Sequence, residues 1–388
     1  MLTQNIDFKN FKTKTKTKIK DYNFKKNLNL LLKEKNNIIS SLGNKYKNSF
    51  NKKILDKYKK NLNFRIIGMG GSTLGAQAIY DFLNKKIKKN FYFSDNLQSN
   101  KKVYKDKKIT NLIISKSGNT TETIVNANIL IKKKDTNIFI TENKKSYLYF
   151  LAEKLKAEII HHNNYIGGRY SVLSEVGMLP AELMGLNVNK FRQLNNLVKN
   201  KIFLDKLISN VSSTIFLIKK KKFNSVIINY DEKSENLFNW YQQLIAESLG
   251  KKQKGILPII SNMPKDNHSV MQLYLDGFTN NFFTFFFVHD SRSPKINNNQ
   301  LLKGHDFLKN KNIKDITFAQ KKASEAVFFK KNIPFRSFEI KKRDEKTLGE
   351  LFCFFILETI LLGKALDVNP YDQPSVELIK QETNFFLT

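Results

Sequence analysis

The sequence predicts an α/β fold in two successive halves, each a mainly parallel sheet covered on both faces by helices. Two observations predict it. Short runs rich in Ile, Val, Phe and Thr alternate with longer stretches of helical periodicity, the pattern of strands joined by crossover helices. The alternation stops near residues 200–210 and then begins again. With 388 residues, 41% of them hydrophobic, the chain has material for two or three cored domains and is not a disordered chain.

Residues 1–55 are polar and lysine-rich with weak helical periodicity, which predicts a peripheral helical arm. The first α/β unit is expected over 56–205. "FRIIGM" is its first strand, followed by a glycine turn and a helix on which Leu74, Ala78, Ile79, Phe82 and Leu83 share one face. "TNLIIS" is a second strand leading into the helix of "KSGNTTETIVNANILIKK", and "TNIFIT" and "AEIIHH" are short buried strands. The second unit is expected over 206–366. It reads "NSVIINY" strand, "SENLFNWYQQLIAESLG" helix, "NFFTFFFVHD" strand, "TFAQKKASEAVFFKKN" helix, "PFRSFEI" strand and a long buried helix through "TLGELFCFFILETILLGKAL". Residues 367–388 form a last segment and helix. Ligands of such sheets bind beyond the carboxyl ends of the strands.

The charge is extreme: 67 Lys+Arg minus 34 Asp+Glu gives +33. One reading is a polyanion partner, nucleic acid or a membrane surface. The other is composition. Only Arg65, Arg169, Arg192, Arg292, Arg336 and Arg343 are arginines, and the lysines are spread along the chain rather than gathered in a stripe. The single cysteine, Cys353, sits in an apolar run. It excludes an internal disulfide and predicts a buried thiol in a reducing cytoplasm. The opening residues lack the apolar core of a secretory signal. The apolar stretch 348–366 is broken by Glu350, Glu358 and Lys364, which suits a core helix better than a membrane span.

"GMGGSTLG" at 68–75 joins a strand to a helix and holds four of the sixteen glycines. Such a turn lets backbone N–H groups and a helix N-terminus approach an anion; it also serves as a tight turn with no ligand. "SKSGNTTET" at 115–123 sets five hydroxyls and Lys116 at a second strand–helix junction. One hydroxyl suffices for capping, with Asn119 and Glu122 spaced as a capping box. Several beside a lysine fit a phosphate monoester. Glu247 falls on the buried stripe of its helix, beside Gln243 four residues earlier. A carboxylate there is either paired or held as a base with a raised pKa. Arg169 follows Gly167 and Gly168 in a chain that prefers lysine, so its planar fork matters or it makes a structural ion pair. Asp266 is placed to cap a helix with His268 in its first turn. Pro374 suits the first turn of a terminal helix, which would set Lys380 on the side of Gln373. His161–His162 has no nearby Cys or acidic partner, and no metal constellation is visible.

Taken in order over residues 68–381, these motifs resemble those of the glucose-6-phosphate isomerase (phosphoglucose isomerase) family. "GMGGSTLG" resembles its GIGGSxLG turn and "SKSGNTTET" its SKTxxTxET loop. "GGRYSVLSEVG" resembles GGRYSxxSxxG, "QQLIAESLGKK" resembles QxxxESxGK, and "QPSVELIK" resembles QxGVExxK. The resemblance implies two SIS-type three-layer α-β-α sandwiches, an N-terminal helical arm and a C-terminal helix. It implies a cytoplasmic, cofactor-free aldose–ketose isomerase of glycolysis and gluconeogenesis, acting on glucose 6-phosphate and fructose 6-phosphate. Glu247 would be the base for a cis-enediol, Arg169 its electrostatic partner, and His268 and Lys380 ring-opening residues. Ser115, Lys116, Ser117 and Thr120, with Gly71 and Ser72, would hold the phosphate, and Gln243 and Gln373 the sugar hydroxyls. His268 would come from a neighbouring subunit, so a homodimer is implied, with no specific nucleic-acid or membrane partner. A sugar-phosphate sensor would need the loop but not Glu247, Arg169 and Lys380 together.

Overall fold

The computed structural model describes residues 1–11, 23–98, 108–290 and 293–388. Arg292 and residues 12–22 of the expected arm lie outside them. Ten strands occur among the described residues: β1 Ile6–Lys9, β2 Asn63–Gly68, β3 Asn90–Ser94, β4 Thr110–Ile114, β5 Thr136–Thr141, β6 Glu158–His161, β7 Asn224–Asn229, β8 Leu257–Asn262, β9 Asn281–Val288 and β10 Phe335–Ile340. They form two five-stranded sheets, β3-β2-β4-β5-β6 and β1-β10-β9-β7-β8. The first is wholly parallel; in the second only β1 runs antiparallel, at the edge. The central strands are buried and mostly apolar, as sheets covered on both faces require. All five residues of β4 and all eight of β9 are buried.

In each sheet the run of parallel strands starts at an inner strand, steps to one side, then crosses to the other. That reversal opens a crevice at the carboxyl ends of the flanking strands. In the first sheet Gly68 of β2 pairs with Ile114 of β4. The two strands therefore end level, and the loops 68–73 and 115–120 leave side by side.

The seven strands read from the sequence are all present. β1, β3 and β8 were not foreseen. The N-terminal arm is not wholly helical as expected, because Ile6 and Phe8 point into the core while Asp7 and Lys9 do not. That alternation lets residues 6–9 close the edge of the second sheet. The helices Phe24–Lys33, Asn37–Ser41 and Lys52–Tyr58 follow. The division expected near 205 falls within the helix Lys201–Lys219. The largest apolar cluster takes side chains from both sheets, among them Ile66, Leu112, Ile227 and Phe286, so the two halves share a core. The long helix Glu345–Ala365 is buried over nearly its whole length, with the Cys353 thiol pushed up by burial to about 12. Among the described residues no helix is long and apolar enough to cross a membrane.

Candidate active site

The glycine turn after β2 is shaped by its neighbours. Gly70 has a φ of +52°, and a Cβ there would stand 2.7 Å from Nε2 of Gln243. At Gly71 a Cβ would lie 2.1 Å from the carbonyl carbon of Gly168. The two glycine-rich turns thus touch backbone to backbone, and only residues without a Cβ allow it. Packing, and not ligand approach alone, accounts for these glycines. Ser72 ends the same turn, half-buried.

That contact delivers Arg169, which is 1% exposed. All five N–H groups of its guanidinium donate. Nε bonds Ser248 Oγ at 2.8 Å, and Nη1 bonds Glu247 Oε2 at 3.2 Å and Gln373 Oε1 at 2.7 Å. Nη2 bonds the carbonyls of Pro370 at 2.7 Å and Asp372 at 3.0 Å. The helix Glu235–Leu249 supplies the carboxylate. Gln243 Nε2 donates to Glu247 Oε1 at 2.8 Å, so the two oxygens of Glu247 are held by different neighbours. The Glu247 side chain remains 31% exposed. Gln243 Oε1 is buried without a hydrogen-bond partner among the described residues and is the free acceptor of the group. Lys251 pairs with Asp372 at 3.1 Å; burial holds its ammonium below the usual range, against the pull of that carboxylate.

At the end of β4, Ser115 Oγ and Thr120 Oγ1 share a hydrogen bond of 2.9 Å, and Gly118 N donates to Ser115 Oγ at 3.2 Å. Asn119 N donates to Ser117 Oγ at 3.3 Å. Lys116 Nζ sits 3.4 Å from Glu142 Oε1. The capping box expected from Asn119 and Glu122 does not form. Thr120 is the cap residue, no side chain caps the helix Thr121–Leu130, and Asn119 Oδ1 instead accepts from Tyr147 N at 2.9 Å. The first-turn N–H groups are left without a side-chain acceptor, which is what an anion site needs.

The structure therefore gathers Arg169, Glu247, Gln243 and Gln373 with Gly71 and Ser72, and sets Ser115, Lys116, Ser117 and Thr120 on the adjoining loop. It does not bring in the other two. His268 is exposed at the end of the turn Lys265–His268. Asp266 caps no regular helix there: its Oδ2 accepts from Asn262 N at 2.7 Å and folds the turn back on β8. Lys380 is exposed on the helix Val376–Leu387 and pairs with Glu377 at 2.6 Å. Gln373, expected on its side, precedes the helix. Sequence reading missed Ser248 as an anchor of Arg169, though it adjoins Glu247. It also left His162 without an acidic partner, whereas Glu175 Oε2 lies 3.5 Å from its Nδ1, brought close by the turn between them. No cluster of three or more His, Cys, Asp or Glu among the described residues could hold a metal.

The family model for phosphoglucose isomerase matches residues 56–286. A glucose-6-phosphate isomerase of Methanocaldococcus jannaschii is 32% identical over 336 residues, 80% of this chain and 81% of that one. One from Streptococcus pyogenes serotype M6 is 30% identical over 355 residues, 81% and 78%. Among solved structures, a hypothetical protein from Thermus thermophilus superposes with a TM-score of 0.81 at 21% identity, covering 94% of each chain. A glucose-6-phosphate isomerase from Chlamydia trachomatis gives 0.70 at 19% identity, over 86% of this chain and 71% of that one. With the matched segment running from the glycine turn past Glu247, and relatives covering four-fifths of their own length, the chain belongs to the phosphoglucose isomerase family.

Proposed function

We propose that the chain interconverts D-glucose 6-phosphate and D-fructose 6-phosphate, an aldose–ketose isomerisation serving glycolysis and gluconeogenesis. The observation that carries the reading is Glu247, a carboxylate steadied on one oxygen by Gln243 and on the other by Arg169, with its remaining surface open. Glu247 takes the C2 proton of the open-chain aldose, leaving a cis-enediolate. It then returns that proton to C1, while a hydroxyl proton moves between O1 and O2. Charge appears on the sugar oxygen as the proton leaves, and a fixed guanidinium there lowers the barrier. Since all five Arg169 donors are engaged, one Nη1–H exchanges Gln373 or Glu247 for the sugar oxygen on binding. The free Gln243 Oε1 accepts a sugar hydroxyl.

The phosphate is assigned to Ser115, Lys116, Ser117 and Thr120, with Gly71 and Ser72 beside it. A dianion there competes with Glu142 for Lys116. His268 and Lys380 are assigned to ring opening, with His268 entering the site of a second copy in a homodimer. The exposure of His268 supports its entering a second copy, as does the helix Val376–Leu387, whose Leu378, Ile379, Phe385 and Phe386 are left uncovered. Division into units 56–205 and 206–366, with 1–55 and 367–388 as flanking segments, and a cytoplasmic location belong to the same reading. A coupled assay for fructose 6-phosphate isomerisation tests it. Glu247→Gln is expected to lose roughly a hundredfold or more in kcat while still binding a phosphorylated sugar acid; near-normal turnover would sink the mechanism. Mannose 6-phosphate turned over at a comparable rate would widen the substrate class.

A further inference from the structure

Two buried groups that the reaction does not use bracket the segment that carries Arg169. His162 follows the last residue of β6, and Glu175 opens the helix Glu175–Leu183; both are 2% exposed. Between them run Ile166, Gly167, Gly168 and Arg169. His162 Nε2 lies 3.0 Å from the carbonyl oxygen of Ile166. A carbonyl only accepts, so Nε2 carries a hydrogen.

On the other side of the ring, Nδ1 faces Glu175 Oε2 at 3.5 Å. Among the described residues neither of these atoms has a hydrogen-bond partner of its own, and one hydrogen between them satisfies both. The other Glu175 oxygen accepts from Tyr46 Oη at 2.9 Å and Ser49 N at 3.3 Å. Burial pushes the Glu175 carboxyl up. The close approach of His162 and the hydrogen bonds from the Glu175 backbone N–H at the helix start and from Tyr46 outweigh it and leave the group below its ordinary range.

Arg192 closes the cluster. It lies 5.1 Å over the Tyr46 ring and donates to the carbonyls of Tyr46 at 2.9 Å and Leu173 at 3.3 Å.

We propose that His162 and Glu175 are positioning residues for Arg169. They form a clasp across the two ends of its segment, with His162 holding the Ile166 carbonyl through Nε2 and facing Glu175 through Nδ1. The Gly71 contact fixes one side of the Gly167–Gly168 turn and the clasp fixes the other. Two adjacent glycines offer little resistance of their own, so the guanidinium depends on both. The inference rests on the isomerase reading, and on Arg169 acting chiefly in the transition state.

The test compares variants at His162. A glutamine there reaches Ile166 with its amide N–H, as Nε2 does. An asparagine is shorter and reaches only toward Glu175. His162→Ala is expected to lower kcat by roughly tenfold or more, with KM for fructose 6-phosphate within about twofold, because a misplaced charge weakens the transition state and not substrate binding. His162→Gln is expected to recover most of kcat and His162→Asn to recover little. In an Arg169→Ala background, His162→Ala is expected to cost less than about twofold, since the clasp acts only through that arginine. A rise in KM alone, or the same loss in both backgrounds, would overturn the clasp. Should the variants fail to fold, ¹⁵N NMR of wild-type His162 still decides. A hydrogen on Nε2 is expected, and a ring whose Nε2 carries none overturns the proposal. A wild-type chain without isomerisation overturns the isomerase reading and the clasp with it; an active wild type matched by His162→Ala overturns the clasp alone.

Discussion

Arg169 makes five hydrogen bonds in a fixed planar fork to two side-chain acceptors at the site, one serine anchor and two backbone carbonyls. A lysine keeps the charge but has three donors on one atom and no fork. Arg169→Lys cannot serve all five acceptors: the Pro370 carbonyl keeps the Tyr170 hydroxyl, and each hydrogen bond lost at the others costs about 0.5–1.5 kcal/mol. It would also move the charge off the sugar oxygen. The expected outcome is a kcat about 10² to 10³ lower and a lower unfolding midpoint, read by steady-state kinetics and calorimetry. A lysine variant with wild-type kcat would show that charge alone suffices.

At the level of elements, the helix Glu235–Leu249 positions the base, and its own anchorage is buried and polar. Trp240 Nε1 donates to the Arg169 carbonyl at 3.1 Å, and the indole packs edge-on against Phe352. At the next residue, Tyr241 Oη accepts from Arg336 at 3.1 Å. Arg336 also bonds Asn210 at 2.8 Å and Thr284 at 2.9 Å and pairs with Glu358, each of the two charges 1% exposed. This network ties β9 and β10 to the helices Lys201–Lys219, Glu235–Leu249 and Glu345–Ala365. Taking away one partner strands the other charge in a medium that cannot solvate it. Glu358→Ala is therefore expected to destabilise by about 3–5 kcal/mol in denaturant unfolding. A loss below about 1 kcal/mol, the worth of an exposed pair, would mean that water reaches the site.

For the whole molecule the charge decides the response to acid. Burial pushes the carboxyls of Glu175 and Asp231 up, but their hydrogen bonds and cationic partners, Arg343 and Lys314 in the case of Asp231, leave both below their ordinary values of 4.5 and 3.8. Glu339 is held far below its range, first by the approach of His289 and then by hydrogen bonds from Lys321 and Lys322, against burial that pushes it up. A group whose pKa is depressed by folding stabilises the fold above its unfolded pKa and loses that contribution as pH falls toward the folded value. The same protonation raises a net charge that already stands at +33 and adds self-repulsion. The melting temperature is expected to fall steeply below about pH 4.5, and added salt to restore part of it. A midpoint flat from pH 6 to pH 3 would contradict this. The lysines themselves remain mostly dispersed; Lys116 and Lys251 are the ones standing at the candidate site.

Seven strands and the helices that carry the site were legible in the sequence, because each is a local pattern: an apolar run for a buried parallel strand, a 3.6-residue stripe for a helix. So were Arg169, Glu247 and the hydroxyl loop, whose residue types stand out against a lysine-rich background. β1 was not legible, since four residues gain strand geometry only from the β10 edge they pair with. Neither was the pairing of His162 with Glu175, which the turn through Arg169 brings together. The exposure of His268 and Lys380 was equally hidden, because the sequence names residue types but not which faces a single copy leaves uncovered. Local spacing determined which groups could do the chemistry. The close packing of two glycine turns, which no local pattern encodes, decided which of them meet.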